Sequence, residues 1–212
     1  MSLLTLAHSA QYMSSLRRIA RTSLFVSEPD PRMFGNPKNE PELANWSNKN
    51  WLRSRFHFAF AEWRDGPSNY GVLRVLNDDL VQPRRGFGAH GHGDMEIVTL
   101  VVSGELSHAD SMGSGDTLGR GSIQYMSAGS GVRHSEQNAG AVPVRFIQSW
   151  VVPRTRGARP VYGSLPDSEE RREARRSKWE HIGKCTRSVS APTDICNKSG
   201  RPQGAGRGAD YH

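Results

Sequence analysis

An all-β sandwich or barrel is the fold class this sequence predicts, and three observations predict it. Short β-prone runs recur between Arg53 and Pro153. Glycines at 104, 113, 115, 119, 121, 129 and 131 interrupt them at turn-like intervals, and almost no helical period runs through the same stretch.

Residues 1–44 read as an N-terminal arm. The opening "MSLLTLAHSAQYMSSLRRIARTSLFV" has no acid before Glu28, carries Arg17, Arg18 and Arg21 and is rich in serine and leucine. That is the composition of an organelle targeting leader, or of a loosely docked terminus. "SEPDPRMFGNPKNEPELANWSNKN" is dense in Pro, Asn and Glu without periodicity and is expected to be irregular. Trp46 and Trp51 flank "SNKN" and are expected to cap one end of the barrel.

The strand texture begins at Arg53. "RFHFAFAEW" alternates aromatic and smaller residues, "YGVLRVLNDD" is a β-prone run closed by turn formers, and "MEIVTLVVSG" is stopped by glycine. "GELSHADSMGSGDTLGRGSIQYMSAGSGVRHSE" supplies several short strands in succession, and "VPVRFIQSWVVP" closes the series at residue 153. Beyond it, "PDSEERREARRSKWEHI" has Asp167 or Ser168 as N-cap, acids in its first turn and arginines later, and predicts one helix over about 167–182. The remaining "GKCTRSVSAPTDICNKSGRPQGAGRGADYH" has too few apolar side chains to pack and is expected to be disordered.

Composition narrows the function classes. The longest apolar runs, such as "IVTLVV", are far shorter than a membrane span, so a soluble chain is expected. Cys185 and Cys196 stand alone, without the spacing of a disulfide framework or a thiolate zinc site, which points to an intracellular, most simply cytoplasmic, location, with mitochondrion or nucleus as alternatives. The net charge of +7 is concentrated at the C-terminus. Residues 154–212 hold 13 of the 28 Lys/Arg and 7 of the 21 Asp/Glu, so direct nucleic-acid binding by the barrel is not expected.

The chemistry sits in two short motifs. Residues i and i+2 of a strand share a face, so His90 and His92 of "GFGAHGHGDMEIV" project side by side, as do His134 and Glu136 of "GSGVRHSEQN". Two imidazoles from one strand with an imidazole and a carboxylate from another make a four-ligand set. Without thiolate, that set suits iron(II), manganese, nickel or copper better than a closed structural zinc. An octahedral ion held by four side chains keeps two positions open to dioxygen or a bidentate substrate.

These two stretches, "GFGAHGHGDMEIVTLVVSGELSHADSMG" and "GSIQYMSAGSGVRHSEQN", resemble the metal motifs of the pirins, iron-binding members of the cupin superfamily. They are most similar to bacterial-type pirins with quercetin 2,3-dioxygenase activity. "RSRFHFAFAEWRD" and "YGVLRVLNDDLVQPRRGFG" extend the likeness over about residues 45–153. The resemblance implies a cupin barrel, a double-stranded β-helix of jelly-roll type, with an iron(II) ion, or another divalent transition metal, on His90, His92, His134 and Glu136. It implies flavonol cleavage with release of carbon monoxide, in which Glu136 also takes the proton of the flavonol hydroxyl. It further implies that Glu96 orients a ligand histidine rather than binding metal. The alternative is a non-enzymatic, redox-sensing protein that binds a regulatory, transcription-related partner. Pirins usually carry a second barrel, which residues 154–212 are not expected to build. The exposed sheet face is then expected to be covered by the arm, the helix or a second copy of the chain as a homodimer.

Other polar residues have plainer readings. His108 is expected on a surface turn, His57, between Phe56 and Phe58, as a packed or edge-strand residue, and Arg84 and Arg85 as solvated loop charges. Gly129 and Gly131 are expected to serve turn geometry, and "RREARRSK" a solvated helix face.

Overall fold

The computed structural model describes residues 18–36 and 50–177. Among these residues eleven strands follow one another: β1 (Phe25–Ser27), β2 (Leu52–Phe56), β3 (Leu73–Val81), β4 (Gly86–His92), β5 (Glu96–Ser103), β6 (Leu106–Asp110), β7 (Gly115–Leu118), β8 (Ile123–Ser127), β9 (Val132–Gln137), β10 (Val144–Val151) and β11 (Val161–Leu165). Among the described residues one α-helix, α1 (Glu169–Ser177), follows them. No helix among these residues is long and apolar enough to cross a membrane.

Every strand pair is antiparallel, and the strands form two sheets. The larger has the order β1-β2-β3-β10-β5-β8-β11, the smaller β4-β9-β6-β7. Their inner faces are made by alternation, as on β5, where Ile97, Thr99 and Val101 are buried between less buried neighbours, and on β9, where Val132, His134 and Glu136 are. This is the all-β architecture expected from the glycine-punctuated short runs, and it is of the cupin type that the resemblance implies.

The interior is not uniformly apolar. One cluster gathers Trp51, Leu52, Val81, Val101, Leu106, Leu118, Val144 and Phe146, with Phe34 and Phe87 against it. A second gathers Ile97, Met126, Ala128 and Val132, with Met95, Trp150 and Tyr162. Buried polar side chains also line the inner faces: Asn77, Asp79, Thr99 and Gln124, Gln148 from the larger sheet, His108, His134 and Glu136 from the smaller.

The strand series runs past residue 153, where it was expected to stop. β11 pairs with β8 from Val161↔Ser127 to Leu165↔Ile123 and forms an edge of the larger sheet. Five residues with a central glycine, bounded by Pro160 and Pro166, are too short for a period to register. Conversely "RFHFAFAEW" is strand only as far as Phe56, after which the chain turns through Ala61 at φ 48°. His57 is half-buried, its Nδ1 2.9 Å from the Leu76 carbonyl oxygen. Helix α1 falls within the expected 167–182 span, and its predicted continuation past Ser177 lies outside the described residues, as do the tail, both cysteines and Trp46.

Where it is described, the arm past Ser27 has no regular structure beyond one turn, as expected, yet it packs on the barrel. β1 pairs with β2 through Phe25↔Phe56 and Ser27↔Ser54, and a short 3-10 turn follows at Pro31–Phe34. Phe34 packs edge-on against Trp51, Phe87 and His90 at centroid distances of 5.7, 5.3 and 5.8 Å. Trp51 itself is fully buried in the core rather than capping an open end. Asn36 then clips the arm to β4: its amide donates to the Gly86 carbonyl at 2.8 Å, and its oxygen accepts from the Gly86 N–H at 2.9 Å. Gly88 permits the approach, since a Cβ there would lie 2.6 Å from the Phe34 carbonyl oxygen. The local propensities of residues 28–36 are those of a loop, and it is this tertiary contact that orders them.

Two outcomes are expected. Asn36→Ala leaves both buried polar groups of Gly86 without a partner and should cost about 1–3 kcal/mol in urea unfolding; an unchanged midpoint would show that the clip contributes nothing. Asp79 lies on β3 opposite Ser54 and Phe146, and burial pushes its carboxyl up from 3.8 to about 7. The folded chain therefore holds that proton more tightly than the unfolded chain. Its contribution is least unfavourable below about pH 4, and stability falls as the pH rises toward 7. Asp79→Asn should be more stable than the parent at pH 8, by something on the order of a few kcal/mol, with the difference closing at pH 4. Parallel stability profiles for the two proteins would exclude this effect.

Candidate metal centre

The site is built on the smaller sheet, whose central strands bring the two motifs together by register. β4 and β9 pair so that His90 lies opposite His134 and Phe87 opposite Glu136. The interval from Phe87 to His90 is one residue longer than that from Glu136 to His134, so β4 carries a bulge. The extra residue resets the alternation, and Phe87, His90 and His92 all turn toward the side on which Glu136 and His134 lie.

The imidazoles converge. The Nε2 atoms of His90 and His134 are 3.1 Å apart, and the rings of His90 and His92 and of His92 and His134 meet at centroid distances of 4.8 and 4.9 Å. Donor atoms of His90, His92 and His134 lie within 4.8 Å of one another. His90 directs Nδ1 at the Gly88 carbonyl, 2.8 Å away, an acceptor that fixes the proton on Nδ1 and leaves Nε2 as a lone pair. His92 Nε2 is buried without a hydrogen-bond partner among the described residues. Burial, reinforced by the neighbouring rings, lowers His92 to about 4 and His134 further still. Both are neutral near pH 7, the state in which imidazole binds a metal. Bare, converging nitrogens of this kind fit a divalent transition ion.

Glu136 is 3% exposed and takes its hydrogen bonds from across the barrel. The Gln148 amide donates to its two carboxylate oxygens at 2.9 and 3.2 Å, and the Gln124 amide donates to one of them. Both amides also reach Thr99 Oγ1, at 3.1 and 3.3 Å, and the Trp150 indole N–H donates to Gln148 at 2.9 Å. Burial is the largest influence on Glu136 and raises its pKa above the ordinary carboxylate range, against the lowering effect of the amides and neighbouring histidines. Its carboxylate groups with His134 and His108 in a second set of donors within 4.8 Å, so His134 is common to both sets.

Three expectations change. His108 is not a surface turn residue but 3% exposed, opposite Glu136 on β6. The signal was available, because His108 and Asp110 share the parity of Leu106 in "LSHAD". Glu96 does not orient a histidine: it has the opposite parity to Ile97 and Thr99, and it accepts from Ser127 at 3.0 Å and from the Tyr125 hydroxyl. That service is performed for His90 by the Gly88 carbonyl. Arg85 is buried at 7% exposure rather than solvated, whereas Arg84 is exposed at φ 56°. Gly129 does serve a turn, at φ 42°, where a Cβ would strike the Ala158 carbonyl oxygen at 2.0 Å.

Comparison with known proteins gives a consistent result. Residues 39–151 match the family model for Pirin. The chain is 42% identical over 119 residues to the quercetin 2,3-dioxygenase of Escherichia coli K12, covering 55% of this chain and 51% of the relative. It is 44% identical over 117 residues to a pirin-like protein of Caulobacter vibrioides, covering 55% and 50%. The chain thus spans about half the length of the curated relatives it matches. Among solved structures, YhhW from Escherichia coli superposes with a TM-score of 0.55 at 40% identity, over 57% of this chain and 53% of that one. The nickel(II) complex of the same bacterial pirin gives 0.54 at 34% identity, over 68% and 59%. With the family match extending across more than half of the sequence, on a barrel of the same architecture, the chain belongs to the pirin family.

Proposed function

We propose that this chain is a metal-dependent dioxygenase that opens the heterocycle of flavonols, of the quercetin 2,3-dioxygenase type, with iron(II) held by His90, His92, His134 and Glu136. The observation that carries the reading is the convergence of three imidazoles, with those of His92 and His134 held neutral by burial, close to a buried carboxylate. The name of the Escherichia coli relative supports the activity, and the nickel(II) complex of a bacterial pirin supports a divalent transition ion in this fold. Such an ion supplies Lewis acidity and open coordination positions for a substrate with two adjacent oxygens.

The chain's own residues do the rest. Phe34 meets His90, Phe87 lies at 6.4 Å from the same ring, and Trp150 meets His92 at 4.8 Å. These apolar rings suit a flat aromatic substrate and keep water from the imidazoles. Glu136, raised by burial, is fitted to take and hold the proton of the flavonol hydroxyl while Gln124 and Gln148 fix its orientation.

Metal analysis after anaerobic reconstitution with iron(II) should give close to one ion per chain, and His92→Ala with His134→Ala should abolish it; full occupancy in the double variant would overturn the ligand set. Oxygen uptake with a small panel of flavonols tests the activity. Glu136→Gln should keep much of the metal, through the three histidines and an amide oxygen, and lower turnover by something on the order of 10²-fold or more. Folded, iron-loaded parent protein that consumes no oxygen across the panel would refute the flavonol reading and leave a metal-binding protein without this activity.

A further inference from the structure

We infer that His108, held by Asp110, is the positioning residue that keeps His134 in its metal-binding tautomer. The inference rests on the reading of His134 as a ligand. If Nε2 of His134 faces the ion together with His90 and His92, its proton must sit on Nδ1, and a buried N–H there requires an acceptor. The atom in place is Nδ1 of His108, 3.4 Å away. That nitrogen can accept only if the His108 proton sits on Nε2, and Nε2 faces Asp110 Oδ2 at 3.0 Å. The side chains of His108 and Asp110 are fully buried, so water offers neither an alternative partner.

The surroundings fix each member of this chain. β6 and β9 pair with Asp110 opposite His134 and His108 opposite Glu136. Tyr162 of β11 stacks flat on the His108 ring, 4.2 Å away with the planes 9° apart. Asp110 Oδ1 is already committed, since it accepts from the backbone N–H groups of Met112 and Ser114 at 2.8 and 3.0 Å. Only Oδ2 remains for His108. The carboxylate therefore closes a tight turn with one oxygen and sets a proton position two imidazoles away with the other.

This division makes Asp110→Asn an informative variant. The two backbone donors still require an oxygen, so the amide nitrogen must replace Oδ2 and point at His108. His108 would then accept at Nε2 and carry its proton on Nδ1, facing the Nδ1–H of His134 donor to donor. With the full chain, nickel(II) affinity should fall by roughly 10- to 100-fold in Asp110→Asn while the metal-free melting temperature stays close to that of the parent. His108→Phe, which keeps a ring against Tyr162 but no acceptor, should lose affinity similarly, and His108→Asn, which places an oxygen near the lost Nδ1, should recover part of it.

Histidine ¹⁵N chemical shifts of the zinc(II)-loaded parent protein give a readout that does not depend on any variant folding. They should show a protonated Nδ1 on His134, with a bare Nδ1 and a protonated Nε2 on His108. A protonated Nδ1 on His108 would overturn the inference, as would unchanged nickel(II) affinity in Asp110→Asn. Two ions bound per chain would overturn it too, because His108 Nδ1 would then be a ligand in the second donor set. His134→Ala separates the two levels: retained metal in that variant refutes the ligand reading, whereas lost metal there with undiminished affinity in Asp110→Asn refutes only the relay.

Discussion

A carboxylate buried in the middle of a barrel must find donors or remain protonated, and Glu136 finds them on the opposite sheet. Gln148 of β10 and Gln124 of β8 reach across the interior to it, and Thr99 holds both amides. That bridge sets a distance between the sheets that no apolar pair could specify so directly. It also places a polar interior beside the Trp51–Phe146 and Ile97–Met126 clusters, each of which supplies its own part of the hydrophobic stabilisation. The amides meant for Glu136 would be orphaned by an apolar residue at that position. The carboxylate beside His134 in the candidate metal centre is therefore also the tie between the sheets.

The arm extends the same economy to the mouth of the site. Phe34 belongs by contact to the apolar cluster and by position to the wall beside His90, while Asn36 anchors both to the first residue of β4. Residues 31–36 thus act as part of the barrel although they form no strand in it. The outer edges of the larger sheet are held by two short strands, β1 and β11, each with one pairing partner. Of these, β11 also carries Tyr162 onto His108, so the edge of one sheet steadies a ring on the inner face of the other.

How much of this was legible in the sequence follows from periodicity. The pairs His90/His92 and His134/Glu136 were readable because strand alternation needs no knowledge of tertiary structure, and the surrounding glycines marked where strands end. The same rule, applied to "LSHAD" and to "EIVT", would have turned His108 inward and Glu96 outward. In both cases a local expectation, a turn histidine or a motif glutamate, outweighed parity. What no local rule contains is the order of the arm. Its residues have loop propensities, and their partners, Gly86 and the rings of Trp51 and Phe87, lie far along the chain. Arg85 is hidden for a similar reason: it stands beside an exposed arginine in the same loop, and burial there is decided by packing rather than composition. β11 is lost to brevity.

The bulge in β4 has a consequence for how this protein tolerates change. One residue between Phe87 and His90 determines whether the two imidazoles face the interior or the solvent. Deleting Ala89, which is exposed and whose carbonyl accepts from the Arg133 guanidinium at 3.1 Å, would leave a strand of the same length class, polarity and β-propensity. Yet it would aim both histidines outward, and the barrel could still close. At Ala89 a deletion is thus far more damaging than a substitution. A lineage drifting by single-codon loss would disperse the histidine cluster in one event while keeping its fold, leaving behind a barrel that looks intact by every measure of composition.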